Sequence, residues 1–372
     1  MRIAVHAKVL SEANLNGIGV YTLNLLKAIS ILERKNEYVL FSNKPIIQKI
    51  GMPNFNEKIL NFPRLWTYLR MPFEFIGGRY DILFVPKADL PPFKRPKTIC
   101  VFYGFGRYIV KEDKLTTVHR LHIWTATNYA LKSADHIIAI SNSARNELIE
   151  TYGFNPSKIT MTHLGYDREL YRPCNDPDII KKICHKHRIT GKYIINTSSV
   201  LWHRKNLLRL IYAFKEFKGR TGAGQQLVIT GKKGETYEEI VRLVSSSETL
   251  KNSVIITDYI PKEDMPILLS GADCMVFPSL YEGFGLSVLE AMACGCPVIT
   301  SNISSLPEVV GDAGILIDPY SISEISSSIE KVVFDLEAAK RMCENGMERA
   351  RKFTWENTAR LTLKVFEKIA GS

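Results

Sequence analysis

The stretch from Phe277 to Thr300, FPSLYEGFGLSVLEAMACGCPVIT, leaves a chain of this kind little choice of local structure. Asp273 to Phe277 is a largely apolar run of strand length, halted by Pro278. Tyr281 to Gly285 then opens a helix whose first amides have no partner inside the helix and can meet an anion. Leu286, Leu289 and Ala293 give that helix an apolar face, Gly295 and Pro297 end it, and Val298 to Thr300 resume as strand. Two acids, Glu282 in the loop and Glu290 inside the helix, stand in this apolar setting. A helix-start acid and a solvated helix residue would account for either one alone. Together, beside a glycine loop, they supply two acceptors for sugar hydroxyls next to amides that can hold phosphate.

The same alternation runs through the whole chain. Strands are expected at Arg2–Val9, Tyr38–Ser42, Asp81–Pro86, Lys97–Tyr103, Asp135–Ser141 and Lys158–His163. A second series is expected at Tyr193–Thr197, Gln226–Gly231, Val254–Thr257, Asp273–Phe277, Val298–Thr300 and Gly314–Ile317. Helix-period segments lie between them, so the fold class is α/β with parallel sheets. A length of 372 residues suits two domains. Pro173 and the polar CNDPD place their boundary near residue 170, giving 1–170 and 171–355.

Three further segments carry candidate chemistry. Gly17 and Gly19 form a Gly-x-Gly loop before the periodic run Tyr21, Leu25, Leu26, Ile29, but the third glycine of a dinucleotide fingerprint is missing. Tight-turn geometry and ligand contact both remain open for it. Arg204 and Lys205 follow the Tyr193 strand and precede a helix with Leu207, Leu210, Ile211 and Phe214 on its apolar side, with Asn206 as its cap. Two fixed cations beside helix-start amides suit a diphosphate, and a solvated basic turn is the plain alternative. Cys184, His185 and His187 lack a second ligand pair, and His119 and His122, spaced for one helix face, read as packing or surface residues.

EGFGLSVLE followed by AMACGCPV resembles the glutamate–seven–glutamate motif of the retaining glycosyltransferases of family 4, which have the GT-B fold. The resemblance implies two Rossmann-like, doubly wound parallel-sheet domains facing a central cleft. It implies that Glu282 lies at a donor sugar and that Glu290 binds the nucleotide ribose. Residues 204–206 match the family's RKN motif, whose cations hold the donor phosphates. The NGIGVYTLNLLKA opening matches as well, and implies that Gly17 and Gly19 approach the donor diphosphate and the acceptor. Gly283, Phe284, Gly285 and Leu286 are expected at the donor, and Tyr259 and Ile260 near the base. The terminal segment 356–372 is expected to return as a helix to the first domain. Many members carry a His-Asp pair after the strand that ends at Tyr103; here Phe102 and Tyr103 occupy those places, so no imidazole is available.

The resemblance implies transfer of a hexose from a UDP- or GDP-linked sugar to a glycan or lipid-linked acceptor, with the anomeric configuration retained. Glu282, Arg204 and Lys205 would carry it. Apart from Asp176 and Asp178 in the boundary stretch CNDPD, no Asp-x-Asp occurs, so neither metal nor cofactor is expected. A sugar phosphorylase of similar fold and a non-catalytic nucleotide-sugar-binding protein are the alternatives; a dehydrogenase would need the complete fingerprint.

The formal charge is +11, and residues 1–120 hold nineteen Lys and Arg against nine Asp and Glu, or +10. Nucleic acid, anionic lipid or phosphorylated substrates can exploit such a field. No nucleic-acid-binding motif accompanies it, so no nucleic acid is expected and a membrane surface is the better partner. Asn61 to Ile76, rich in aromatic and basic residues including Phe62, Arg64, Trp66, Arg70 and Phe73, could lie at such an interface or pack in the core. No run of eighteen apolar residues and no secretory pattern occur, and seven cysteines without a paired framework suit a reducing compartment. A cytoplasmic protein, at most at the inner face of a membrane, is expected.

Overall fold

The structure is a computed structural model that describes residues 1–371 apart from 63–64, 88–89, 92–94, 105–124 and 126. Arg64, His119 and His122 therefore lie outside the described residues. The described residues divide into two compact units, one holding Met1–Gly104, 127–165 and Thr354 onward, the other Tyr166–Phe353.

The first unit is a seven-stranded sheet: β1 (Arg2–His6), β2 (Glu37–Ser42), β3 (Phe55–Ile59), β4 (Ile82–Val85), β5 (Lys97–Phe102), β6 (His136–Ala139) and β7 (Ile159–Met161). Its order is β3-β2-β1-β4-β5-β6-β7, and every pairing is parallel. Parallel strands covered on both faces need continuous apolar sequence, and β4, with Ile82, Leu83, Phe84 and Val85 all buried, shows it. β1 is shorter than its apolar run suggests, because Lys8–Ser11 turns into a 3-10 helix. β3 was not expected from the sequence. Its FNEKI is polar and half exposed, as suits an edge strand that pairs with β2 alone among the described strands.

The second unit repeats the plan with six parallel strands: β8 (Tyr193–Val200), β9 (Gln226–Lys232), β10 (Val254–Ile256), β11 (Cys274–Phe277), β12 (Val298–Ser301) and β13 (Ile315–Ile317). The order β10-β9-β8-β11-β12-β13 is the doubly wound arrangement, with its switch point between β8 and β11. The helices that frame the two sheets include, in chain order, α1 (Gly17–Leu32), α2 (Pro177–Lys186), α3 (Leu207–Thr221), α4 (Leu286–Ala293), α5 (Ile322–Phe334), α6 (Leu336–Ala350) and α7 (Trp355–Gly371). In α3, Leu207, Leu210, Ile211, Phe214 and Phe217 are spaced three or four apart and all buried, in one core with Ile325, Ile329 and Val332 of α5. Each such side chain contributes about 1.5–3 kcal/mol by leaving water.

α7 belongs to the first unit. It packs along α1, sets Phe366 edge-on to Phe84 at 5.3 Å, and ties Thr358 Oγ1 to the His163 carbonyl at 2.6 Å. The crossing is close: a Cβ on Gly165 would stand 2.1 Å from the Trp355 nitrogen. No side chain can be accommodated against backbone at that distance. Gly165→Ala should therefore destabilise the chain by about 3 kcal/mol or more, read as a lowered midpoint in urea unfolding.

Candidate donor site

The switch point explains why residues far apart in sequence meet. β8 and β11 are neighbours, but the chain leaves them toward opposite sides, and their carboxyl ends open a crevice. The 3-10 turn His203–Lys205 follows β8, and the loop Pro278–Gly285 follows β11. The two loops are joined through backbone: Leu280 N donates to the Arg204 carbonyl at 2.7 Å.

Across this junction lies an ion-pair group. Lys205 Nζ donates to Glu282 Oε1 at 2.6 Å, Arg204 Nη1 reaches the same oxygen at 3.2 Å, and the Ser279 hydroxyl donates to it at 2.7 Å. Glu282 Oε2 accepts no bond from the described residues. Lys205 is buried, with its ammonium 4.6 Å from the centroid of the Phe277 ring. Burial alone would push the Glu282 carboxyl up, but Lys205 and Arg204 outweigh it and hold the group below the usual carboxylate range. Glu282 is thus a fixed anion with one oxygen committed and one available, and the group carries a net positive charge.

Asn206 differs from expectation. It stands at the N-cap of α3 in the left-handed region, φ 60°, yet its side chain caps nothing. Instead its Nδ2 donates to the carbonyls of Pro278 at 3.0 Å and Pro319 at 2.6 Å, tying three loops at the sheet's carboxyl end. Asn tolerates this conformation better than most residues, and the buried amide needs acceptors.

α4 starts at the end of the glycine loop. Gly285 adopts φ +102°, and a Cβ there would meet Leu306 Cδ2 at 2.8 Å. The backbone amides of Gly283, Gly285, Leu286 and Ser287 have no acceptor among the described residues, as the first turn of a helix dictates. Phe284 contributes backbone only, because its ring is buried edge-on to Phe353 at 5.8 Å. One turn after Leu286, and so on the same face, Glu290 is partly buried and hydrogen-bonded to the Tyr171 hydroxyl. Burial pushes its carboxyl up to about 8, against the pull of Tyr171 and Lys262 and with a further push from Asp167. Tyr259 and Ile260 follow β10 at the same end of the sheet. The Tyr259 ring is exposed beside Lys232, at 5.5 Å, while the Ile260 side chain is buried.

Gly17 and Gly19 lie in the first unit, and they do not form a loop. They occupy the first turn of α1, where Asn16 caps the helix by accepting from Gly19 N at 3.0 Å. The helix starts earlier than expected because that cap precedes both glycines. Only Gly17 is exposed there; a Cβ on Gly19 would meet Leu15 at 2.9 Å. Tyr103 follows β5 and meets the Tyr21 ring edge-on at 5.6 Å, and burial raises its hydroxyl's pKa. His187 and Lys186 both bind Asp264, at 2.8 and 2.7 Å, which accounts for that cluster structurally. Sequence reasoning missed Ser279, Ser304, Ser305 and Tyr171. The serines follow β11 and β12 at the carboxyl edge, which is the signal that marks them.

Protonation of Glu290 is coupled to folding. Between about 4.5 and about 8 the folded chain keeps a proton that the unfolded chain has released, so stability from this group falls as pH rises through that window. Glu290→Gln should therefore melt close to the parent at pH about 5 and above it at pH about 9, in thermal unfolding without ligand.

The family described as "Glycosyl transferases group 1" matches residues 180–349, and "Glycosyltransferase Family 4" matches residues 15–170. O-antigen chain mannosyltransferase B of Escherichia coli is 29% identical, covering 95% of this chain and 96% of that protein. Sucrose-phosphate synthase from Thermosynechococcus elongatus superposes with a TM-score of 0.78 at 19% identity over 100% of both chains. Anabaena HepE in complex with UDP-glucose gives 0.76 at 17% identity, covering 99% of this chain and 100% of that one. These two likenesses show the GT-B fold. With both units matched by glycosyltransferase families, the chain belongs to the family 4, group 1 glycosyltransferases and is a glycosyltransferase.

Proposed function

We propose that this enzyme moves a hexose from a UDP- or GDP-linked sugar to a glycan or lipid-linked acceptor in polysaccharide or cell-envelope synthesis, with retention of configuration. The observation that carries the reading is the Lys205–Glu282–Arg204 group at the switch point, beside the amides that open α4. A departing nucleoside diphosphate develops negative charge, and Lys205, Arg204 and those amides supply fixed positive partners for it. The acceptor oxygen forms its bond to the anomeric carbon as the carbon–diphosphate bond breaks. The electron pair leaves on the diphosphate, and the acceptor's proton passes to that leaving oxygen. Glu282 Oε2 accepts from a sugar hydroxyl, and Glu290 accepts from the ribose. Since the chain's own cations meet the diphosphate, the reading calls for no metal, and activity should survive EDTA.

The name of the E. coli relative makes a mannosyl donor the first to try, and the ligand of HepE makes UDP-glucose the second. Thermal-shift titration with UDP, GDP, ADP and their sugar conjugates should single out one nucleotide, followed by product analysis with that donor. Lys205→Ala should lower turnover about 100-fold at saturating donor, and Glu290→Ala should weaken nucleotide binding about 10-fold. Full activity of Lys205→Ala would remove the phosphate role. Sugar phosphate released from free phosphate would identify a phosphorylase, and binding without turnover of any donor a non-catalytic protein.

A membrane surface is the second partner proposed. Among the described residues no helix is long and apolar enough to cross a membrane. Phe62 is exposed, and the segment 65–76 presents Leu65, Leu69, Phe73 and Ile76 to solvent at spacings of three or four, while Trp66, Met71 and Phe75 pack inward. It is apolar on both sides, so core packing explains only half of it. Leu65 at 60%, Phe73 at 64% and Ile76 at 66% exposure, in the basic first third of the chain, suit an anionic lipid surface. Co-sedimentation with vesicles containing phosphatidylglycerol should fall about 10-fold for Leu69→Glu with Phe73→Glu, and the parent should bind neutral vesicles much less.

A further inference from the structure

The loop after β12 holds the loop after β11 by its hydroxyls. β11 and β12 are adjacent and parallel, with Phe277 opposite Thr300, so the two loops leave the sheet side by side. Ser301 Oγ donates to the Ser279 carbonyl at 2.7 Å. Three residues on, Ser304 Oγ accepts from Glu282 N at 2.9 Å and donates to the Glu282 carbonyl. Ser305 Oγ donates to the same carbonyl at 2.9 Å. Both peptide groups of Glu282 are thus taken up by two serine side chains.

The backbone at Ser304 is itself unusual. Its φ is 62°, in the left-handed region where a residue with a Cβ is strained. Glycine would adopt that conformation freely. Only a hydroxyl, however, can accept from an N–H and donate to a carbonyl through one atom. Ser305 is fully buried, so its hydroxyl needs the partner it has.

We propose that Ser304 and Ser305 are positioning residues for Glu282, fixing the loop so that its carboxylate stands where a bound sugar is met. The inference rests on the donor-site reading for its functional consequence, but the clamp itself is independent of it. With the peptide groups of Glu282 engaged, its side chain is constrained from both ends: Ser304 and Ser305 hold the backbone, and Lys205, Arg204 and Ser279 hold Oε1. Ligand contact is left to Oε2 and to the amides of Gly283, Gly285, Leu286 and Ser287. Loosening the backbone end lets the carboxylate follow its cations rather than the sugar.

The test uses the full chain with Ser304→Gly, which keeps the backbone conformation and removes the hydroxyl. Its melting temperature should stay near the parent's, since relief of the strained φ offsets the lost hydrogen bonds. Amide hydrogen exchange in the peptide covering residues 281–286 should speed up about 10-fold, with the rest of the unit unchanged. With the donor identified by titration, turnover should drop about 10- to 30-fold while the donor KM changes less than about 3-fold. In a Glu282→Ala background the same change should cost less than about 2-fold, because it acts through Glu282. Unchanged exchange, or turnover within about 2-fold of the parent, overturns the proposal, as does a full additional loss in the Glu282→Ala background. A parent chain that turns over no nucleotide sugar would defeat the donor-site reading instead, and the exchange measurement would still decide the clamp.

Discussion

The second unit depends on one buried contact, Lys205 Nζ on Glu282 Oε1 at 2.6 Å. It joins the loop after β8 to the loop after β11 at the point where the sheet's winding reverses. A lysine this well buried is tolerable only beside a fixed anion, and a carboxylate there only beside fixed cations. The pair therefore holds two loops in one geometry, with Asn206, Ser279 and the bond from Leu280 to Arg204 closing the remaining gaps. Removing Lys205 would leave Arg204 to balance Glu282, and removing Glu282 would take from Lys205 the anion it is buried against. The same contact leaves Glu282 Oε2 without a bond from the described residues and sets two cations against one carboxylate at the sheet's carboxyl end.

The two glutamates of the motif are held in opposite electrostatic states. Burial acts on both, but Glu282 has two cations at hydrogen-bond distance, whereas Glu290 has the neutral phenol of Tyr171 and the more distant Lys262. The first stays ionised below the ordinary range and the second is raised to about 8. A permanent anion suits a place where positive charge must be balanced and a hydroxyl held. A carboxyl that is readily protonated suits one that accepts from or donates to hydroxyls, without leaving a bare charge when no ligand is bound. Identical side chains on one short helix-and-loop unit are driven to opposite charge states by their neighbours.

The first unit has the same winding but different equipment. α1 is capped by Asn16 and its glycines are ordinary first-turn residues. Tyr103, just after β5, is a buried phenol packed on Tyr21. Among the unit's described residues, the segment 65–76 is apolar toward solvent as well as toward the core. That combination is costly for a surface left in water.

The sequence by itself determined the alternation of strands and helices, because apolar runs of strand length and 3.6-residue periodicity are local properties. It likewise marked Glu282, Glu290, Arg204 and Lys205, since a family motif is a string of neighbours. Polar β3 escaped, because an edge strand that buries little carries no apolar run. Only the tertiary structure decided that Arg204 and Lys205 close on Glu282, 78 and 77 residues away. It alone showed that Asn206 links loops instead of capping, that Phe284 faces Phe353, and that two serines of the neighbouring loop grip Glu282. Those facts depend on which strands become neighbours. Strand order is set by packing across the whole sheet, and no local stretch of sequence contains it.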